Sequence, residues 1–292
     1  MQLIVHGGAG GTPDDPAPRQ TVLDEAAATG AAAATPLDAV EAAVRVLETD
    51  EQFNAGVGGA RQSDGVVRTD AGLMTGDREI GAACSMPGVE HAVTVARGVL
   101  TETPHILLAG PHAVAFAEDI GVDVDVTLTT QRSTERWRDL DPPDGSPLDQ
   151  LAWVTEQFGD GGDGGAPVRD HDTVGAVARD GDAFAAATST GGRWLALAGR
   201  VGDVPQVGSG FYASPAGAAS ATGAGEDIAR VTLCRRAVQH LEAGQDADAA
   251  ATAALEEFAA VTDSTAGIIV IDEAGVGEAY NSAAMQTSAD TG

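Results

Sequence analysis

Apolar residues recur along this chain with two different periods, and the switches between them predict alternating strands and helices. Gln2 to His6 reads as a short buried strand. It runs into Gly7, Gly8, Ala9, Gly10 and Gly11, a glycine density that predicts a loop. Residues 21–34 are alanine-rich and predict a helix. Pro36 opens another, with Leu37, Val40, Val44 and Leu47 on one face at spacings of three and four, ending near Thr49. Residues 53–60, FNAGVGGA, predict a glycine-rich loop. Strands are expected near 65–74 and 79–85, a helix near 91–100, a strand over 105–109 and a helix near 111–120. After position 172, Thr173–Ala178 and Ala183–Ser189 read as paired strands joined at Arg179-Asp180-Gly181-Asp182. Residues 190–223 hold many glycines and few periodic positions. Helices are expected over 225–243 and 246–260. A hairpin is expected from Gly267–Ile271 and Gly277–Tyr280 around Glu273-Ala274-Gly275. Strands interleaved with helices in this order predict sheets held between helical layers.

The stretch from 139 to 172 breaks the pattern. Pro142-Pro143-Asp144-Gly145 interrupts the chain, a short helix is expected over 147–158, and Gly159-Asp160-Gly161-Gly162-Asp163-Gly164-Gly165 follows. That last run has nothing to bury and reads as a flexible acidic linker.

Composition narrows the picture. With 292 residues and 43% hydrophobic positions the chain can build a sizeable core. Aromatics are only 4%, so the core must be made of small side chains. Lys+Arg number 16 against 44 Asp+Glu, a net charge of -28, and every one of the 16 is arginine. A surface this acidic repels nucleic acid and anionic membranes. It suits a halophilic cytoplasm, where molar salt cuts the Debye length to ~3 Å and screens self-repulsion. Cys84 and Cys234 are far apart, lack metal-ligand spacing, and are expected to be buried thiols rather than a disulfide. MQLIVHGGAG lacks the basic and long apolar regions of a signal peptide, and no apolar run approaches a membrane span. The expected location is cytoplasmic.

Four blocks carry candidate chemistry. Thr173 begins the first strand after the linker; threonine is common in strands, but this one follows a segment that can be cut without unravelling anything. Cleavage between Asp172 and Thr173 would expose an α-amine. A threonine hydroxyl needs an adjacent base, and an α-amine with a reference pKa of about 7.7–8.0 can serve, so one residue supplies nucleophile and base. No Ser-His-Asp set is needed or evident. Thr188-Ser189-Thr190-Gly191-Gly192 puts hydroxyls at a strand end, fit to orient a neighbouring hydroxyl or simply to form a polar turn. Gly199-Arg200-Val201-Gly202-Asp203 can grip a zwitterion, guanidinium on carboxylate and aspartate on ammonium; the plain alternative is a surface ion pair. Ala221-Thr222-Gly223-Ala224-Gly225-Glu226 precedes a helix, so its backbone N–H groups can form an oxyanion hole, a phosphate loop or an ordinary cap. It lacks the spacing and lysine of a P-loop.

Together these blocks resemble the plant-type L-asparaginases, or isoaspartyl peptidases, of the N-terminal-nucleophile hydrolases. The matching stretches are VHGGAG at 5–10, LDAVEAAVRVLETDEQFNAGVG at 37–58, DTVGAV at 172–177, AAATSTGG at 185–192, GRVGD at 199–203 and ATGAGE at 221–226. The resemblance implies an α+β fold, a four-layer αββα sandwich. It implies cleavage into an α subunit, 1–172, and a β subunit, 173–292, assembled as a dimer of αβ heterodimers. By position, it makes Thr173 the nucleophile and Thr190 its hydrogen-bonding tuner. Arg200 and Asp203 become clamps on the substrate's α-carboxylate and α-amine, with Gly225 a further contact. Thr222 and Gly223 become the oxyanion hole, and Asn54 packs near the nucleophile. It also implies a structural sodium ion held by backbone carbonyls of Leu47, Glu48, Asp50, Phe53, Ala55 and Val57, with no cofactor for the chemistry. The implied substrates are asparagine and β-aspartyl dipeptides.

The chain departs from the pattern in two places. His171-Asp172 stands where plant-type members more often carry glycine, which is similar to glycosylasparaginases and keeps glycosylasparagine as an alternative substrate. Arg193-Trp194 replaces small polar residues and is expected at the substrate mouth. Two rival readings are a threonine endopeptidase, which would need a protein-recognition insertion, and a non-catalytic α/β metabolite-binding protein using Gly7–Gly11 as a phosphate loop.

Overall fold

Alternation along the strands dictates the layering. The structure, a computed structural model, describes residues 1–143, 145–158 and 173–291; the expected linker Gly159–Gly165, His171 and Asp172 lie outside the described residues. In chain order the strands of the larger sheet are β1 (Gln2–Gly10), β2 (Arg68–Thr75), β3 (Ile80–Pro87), β4 (Leu107–Ala109), β5 (Val174–Asp180), β6 (Ala183–Thr190) and β11 (Ala284–Asp290). They pair in the order β11-β1-β5-β6-β2-β3-β4. The smaller sheet runs β10-β9-β8-β7, formed by β7 (Phe211–Ser214), β8 (Gly217–Gly223), β9 (Ala266–Ile271) and β10 (Val276–Tyr280).

Successive side chains on a strand face opposite ways. Leu3, Val5, Ala176, Ala178, Ala185 and Ala187 pack in one core with Val40, Val44 and Leu47 of α2 (Pro36–Thr49). The same core takes residues of α1 (Ala17–Ala31) and α3 (Ala92–Glu102). The intervening Ile4, Val177 and Ala186 turn into a second core. There they meet Ile268–Ile271 of β9 and the apolar stripes of α8 (Leu233–Glu242) and α9 (Ala247–Val261). The result is helices, sheet, sheet, helices, the expected four-layer α+β sandwich. Alanine fills much of both cores, so backbones approach closely; a Cβ on Gly72 would run into the Phe211 ring.

Local chemistry sets several boundaries. Thr35 caps α2 by accepting from Asp38 N–H at 3.2 Å, with Pro36 at the first turn. Asp246 caps α9 through Ala249 N–H at 2.9 Å. The expected helix over 225–243 is instead two, α7 (Gly225–Val231) and α8, because Thr232 adopts the left-handed region at φ 55°. The expected loop at Gly7–Gly11 is also corrected, since β1 continues through Gly10, between β11 and β5. Glycine is needed at Gly7 because the Phe53 ring lies 2.6 Å from where a Cβ would stand. A register shift falls between His6 and Ala9, where Gly8 has φ 110°. Four elements were not expected: α5 (Gln131–Arg138), β7, β8 and β11. The remaining helices are α4 (Gly110–Asp119) and α6 (Pro147–Phe158). Cys84 and Cys234 are free and buried, as expected. Among the described residues no helix is long and apolar enough to cross a membrane.

Candidate active site

Three rows of residues cross the larger sheet on the face that meets the smaller one. The deepest is apolar: Met74, Ala186, Val177 and Ile4 stand in register on β2, β6, β5 and β1. Two residues along each strand the row becomes Gly72, Thr188, Gly175 and His6. One pleat further, Asp70 stands opposite Thr190, beside Thr173 at the head of β5. Polarity therefore rises along the strands toward one end of the sandwich, where the candidate residues gather.

Thr173 is only 7% exposed, and its Oγ1 lies 3.3 Å from Thr190 Oγ1. Thr190 Oγ1 also accepts from Gly192 N–H at 3.2 Å and lies 3.5 Å from the Asn54 carbonyl. Asn54 fastens this corner: its Nδ2 donates to Gly192 O at 2.6 Å, and its Oδ1 accepts from Ala60 N–H at 2.9 Å. Its carbonyl takes Gly191 N–H at 2.8 Å. A Cβ on Gly191 would reach 3.0 Å from Asn54 Oδ1, so the two glycine-rich segments interlock. Thr222 is fully buried near the end of β8, and its Oγ1 lies 3.4 Å from Ala9 N–H. Gly223 follows at φ 133°, a conformation open to glycine, with its backbone turning into α7.

Arg200, Asp203 and Gly225 converge as well. A Cβ on Gly225 would stand 2.6 Å from Asp203 Oδ1 and 2.9 Å from Arg200 Nη2. Arg200 holds Glu226 in a two-pronged pair, Nε to Oε1 at 2.8 Å and Nη2 to Oε2 at 2.7 Å. That pairing pulls the Glu226 carboxyl down to about 2. Asp203 is buried, and burial raises its carboxyl to about 6 against the pull of Arg200. Its Oδ2 has no hydrogen-bond partner among the described residues. A buried acceptor beside a guanidinium suits a ligand's ammonium.

Asp70 escaped the sequence reading. It is buried, its Oδ1 accepts from Ser85 N–H at 2.7 Å, and burial lifts its carboxyl to about 7. The charges of Arg200 and Asp203 both act on it, which ties the clamp to the Thr190 row. Only strand register places Asp70 opposite Thr190. Arg193 Nη1 lies 4.0 Å from Glu226 Oε2, beside the Arg200–Glu226 pair. Trp194 lines a cleft of about 300 Å³ with Gly8, Asn54 and Arg136.

The loop after α2 was expected to offer carbonyls to sodium. Glu48 O accepts from Val57 N–H at 2.8 Å and Asp50 O from Phe53 N–H at 3.2 Å, leaving each oxygen a second lone pair. Gly56, at φ 49°, lets the loop curl onto the Glu48 carbonyl. Such an all-oxygen set fits a hard cation. The Glu48 side chain has a role the sequence hid: fully buried, its Oε1 accepts from Ser189 Oγ at 2.6 Å and Val93 N–H at 3.0 Å. It pins the reverse face of the Thr190 strand to α2 and α3.

Comparison with known proteins gives a consistent result. The asparaginase family model (Asparaginase_2) matches residues 1–292. A plant-type L-asparaginase of Pyrococcus horikoshii is 37% identical over 98% of this chain and 94% of its own. One from Pyrobaculum calidifontis is 40% identical over 97% and 94%. An isoaspartyl peptidase/L-asparaginase of Danio rerio is 37% identical over 94% and 86%.

Proposed function

The chain belongs to the asparaginase family, and from that premise we propose that it is a self-cleaving threonine amidohydrolase acting on asparagine and β-aspartyl dipeptides. The observation that carries this reading is the buried Thr173 hydroxyl, at a strand head, 3.3 Å from Thr190 Oγ1. In the first act Thr173 Oγ1 attacks the Asp172 carbonyl and the peptide C–N bond breaks. Water then hydrolyses the resulting ester, leaving Asp172 as a carboxylate and Thr173 with a free α-amine.

In the second act that amine takes the proton of Thr173 Oγ1 as the oxygen attacks the side-chain amide of the substrate. Arg200 receives the substrate α-carboxylate and Asp203 its α-ammonium, with Gly225 leaving room between them. Glu226 already occupies the Arg200 fork, so the incoming carboxylate shares or displaces it. Donors at Thr222 and Gly223 meet the developing oxyanion, and Thr190 holds the nucleophile's line of attack. The proton passes to the leaving amine, ammonia or an amino acid departs, and water cleaves the β-aspartyl ester to release aspartate. A sodium ion, when bound, would be held by the carbonyls of Leu47, Glu48, Asp50, Phe53, Ala55 and Val57 and would brace the loop around Asn54.

Turnover of asparagine, a β-aspartyl dipeptide and glycosylasparagine, measured side by side at molar salt, tests the reading. Ammonia from the first and amino-acid release from the second are expected. Absence of turnover on both would reject it.

A further inference from the structure

We propose that His6 is a positioning residue for the nucleophile: its ring contacts the Thr173 backbone and, through a hydroxyl chain, ties β1 to the strands carrying Thr190 and Thr222. The inference rests on Thr173 being the attacking group.

His6 is fully buried between the sheets, where Val5 and Ile4 before it face ordinary apolar cores. Its Nε2 lies 2.9 Å from Ser220 Oγ, which lies 2.7 Å from Thr188 Oγ1, which donates to Gly210 O at 2.8 Å. One proton order satisfies every link. Thr188 gives its proton to Gly210, Ser220 gives its own to Thr188, and His6 Nε2–H therefore donates to Ser220. Burial drives the ring's pKa down to about 3, so the ring stays neutral. The ring also reaches the Thr173 backbone, a contact that favours the protonated ring but is outweighed by burial.

Position is what gives the chain its reach. Ser220 is two residues before Thr222 on β8, Thr188 two before Thr190 on β6, and Gly175 two after Thr173 on β5. Residues two apart share a strand face. The His6 layer thus lies one pleat under the reacting hydroxyls and bonds across both sheets. Gly175 makes room for it: a Cβ there would clash with Ser220 Oγ and stand 2.5 Å from His6 Nε2. The imidazole fixes the spacing of β1 against the strands that carry Thr190 and Thr222.

The test compares His6→Gln, whose amide N–H can replace Nε2–H, with His6→Asn, which cannot reach Ser220. For each, kcat and KM on asparagine, the rate of cleavage ahead of Thr173 by intact mass, and the thermal midpoint are measured on the full chain. A misplacement approaching 1 Å can slow chemistry by about 100-fold. His6→Asn is therefore expected to lose about 10–100-fold in kcat with KM nearly unchanged, and to cleave more slowly. His6→Gln is expected to recover most of both. Full kcat and cleavage in His6→Asn, or equal losses in the two variants, would overturn the proposal. Should His6→Asn fail to fold, Ser220→Ala cuts the same chain by one atom and carries the same expectation. A wild-type protein that cleaves but releases no ammonia would reject the proposed substrate, while the cleavage rates still decide the role of His6.

Discussion

Gly175→Ala is the smallest change that probes the interior under the nucleophile. The added methyl would overlap Ser220 Oγ, stand 2.5 Å from His6 Nε2 and 3.0 Å from Ala187 O. Neither the backbone oxygen nor a fully buried imidazole can swing away, so Ser220 must yield. Overpacking of this kind costs about 1–3 kcal/mol. Breaking the His6–Ser220 and Ser220–Thr188 bonds adds about 1 kcal/mol each. The alanine recovers about 0.4–1 kcal/mol by restricting the unfolded chain. The balance is a loss of about 2–5 kcal/mol, a fall in thermal midpoint on the order of 10 °C for a chain of this size. Denaturant titration at fixed salt of the wild type, Gly175→Ala, Ser220→Ala and the double variant measures it. Because the two side chains compete for one space, the double variant should be more stable than additivity predicts by about 1–2 kcal/mol. A Gly175→Ala protein as stable as wild type, or strict additivity, would refute the packing argument.

Other consequences are open to test. Thr222→Ala should lower kcat about 100–1,000-fold while leaving KM near its original value, as expected for a donor used only in the transition state. Asp203→Asn should raise KM for asparagine about 10–150-fold, the worth of one charge-assisted bond to the substrate ammonium. Burial holds the Asp203 carboxyl at about 6, so it gains a proton as pH falls through that value. Wild-type KM should rise as pH drops below about 6, and the Asp203→Asn protein should lack that limb. With a net charge of -28, the folded state repels itself in dilute buffer. Raising salt from 0.1 to 1 M cuts the Debye length from about 10 to 3 Å, and the thermal midpoint should climb. A falling midpoint would mean that ion pairs outweigh repulsion.

The parts of the fold legible in the sequence were those with a local physical signal. The α2 helix announced itself through Pro36 and a stripe at Leu37, Val40, Val44 and Leu47, and it spans Pro36–Thr49 as expected. The hairpin of β9 and β10 carried Ile268–Ile271 and a turn at Ala274-Gly275. Strands β7 and β8 gave no such signal. They read FYAS and GAASATG, buried on both faces, with alanine and glycine where alternation would show. The Gly7–Gly10 run misled because glycine usually marks a loop, whereas here it admits the Phe53 ring against an interior strand.

The candidate site divides in the same way. Thr173, Thr190, Arg200, Asp203, Thr222 and Gly225 lie in contiguous glycine-marked blocks, and the fold gathers them at one end of the sandwich. Asp70 and Ser220 belong to no block, and His6 and the Glu48 carboxylate lie in matching stretches that gave those side chains no role. Their meaning comes from register between strands far apart in sequence, such as Asp70 with Thr190, or His6 facing Ser220. Nothing in a single chain of letters states that register.

Intact-mass spectrometry with N-terminal sequencing of the purified, active protein tests the central claim most directly. The account predicts two polypeptides, the second beginning at Thr173. It also predicts a Thr173→Ala variant that stays whole and releases no ammonia from asparagine. Ammonia release by molecules whose 172–173 bond is intact, or by the alanine variant, would contradict it.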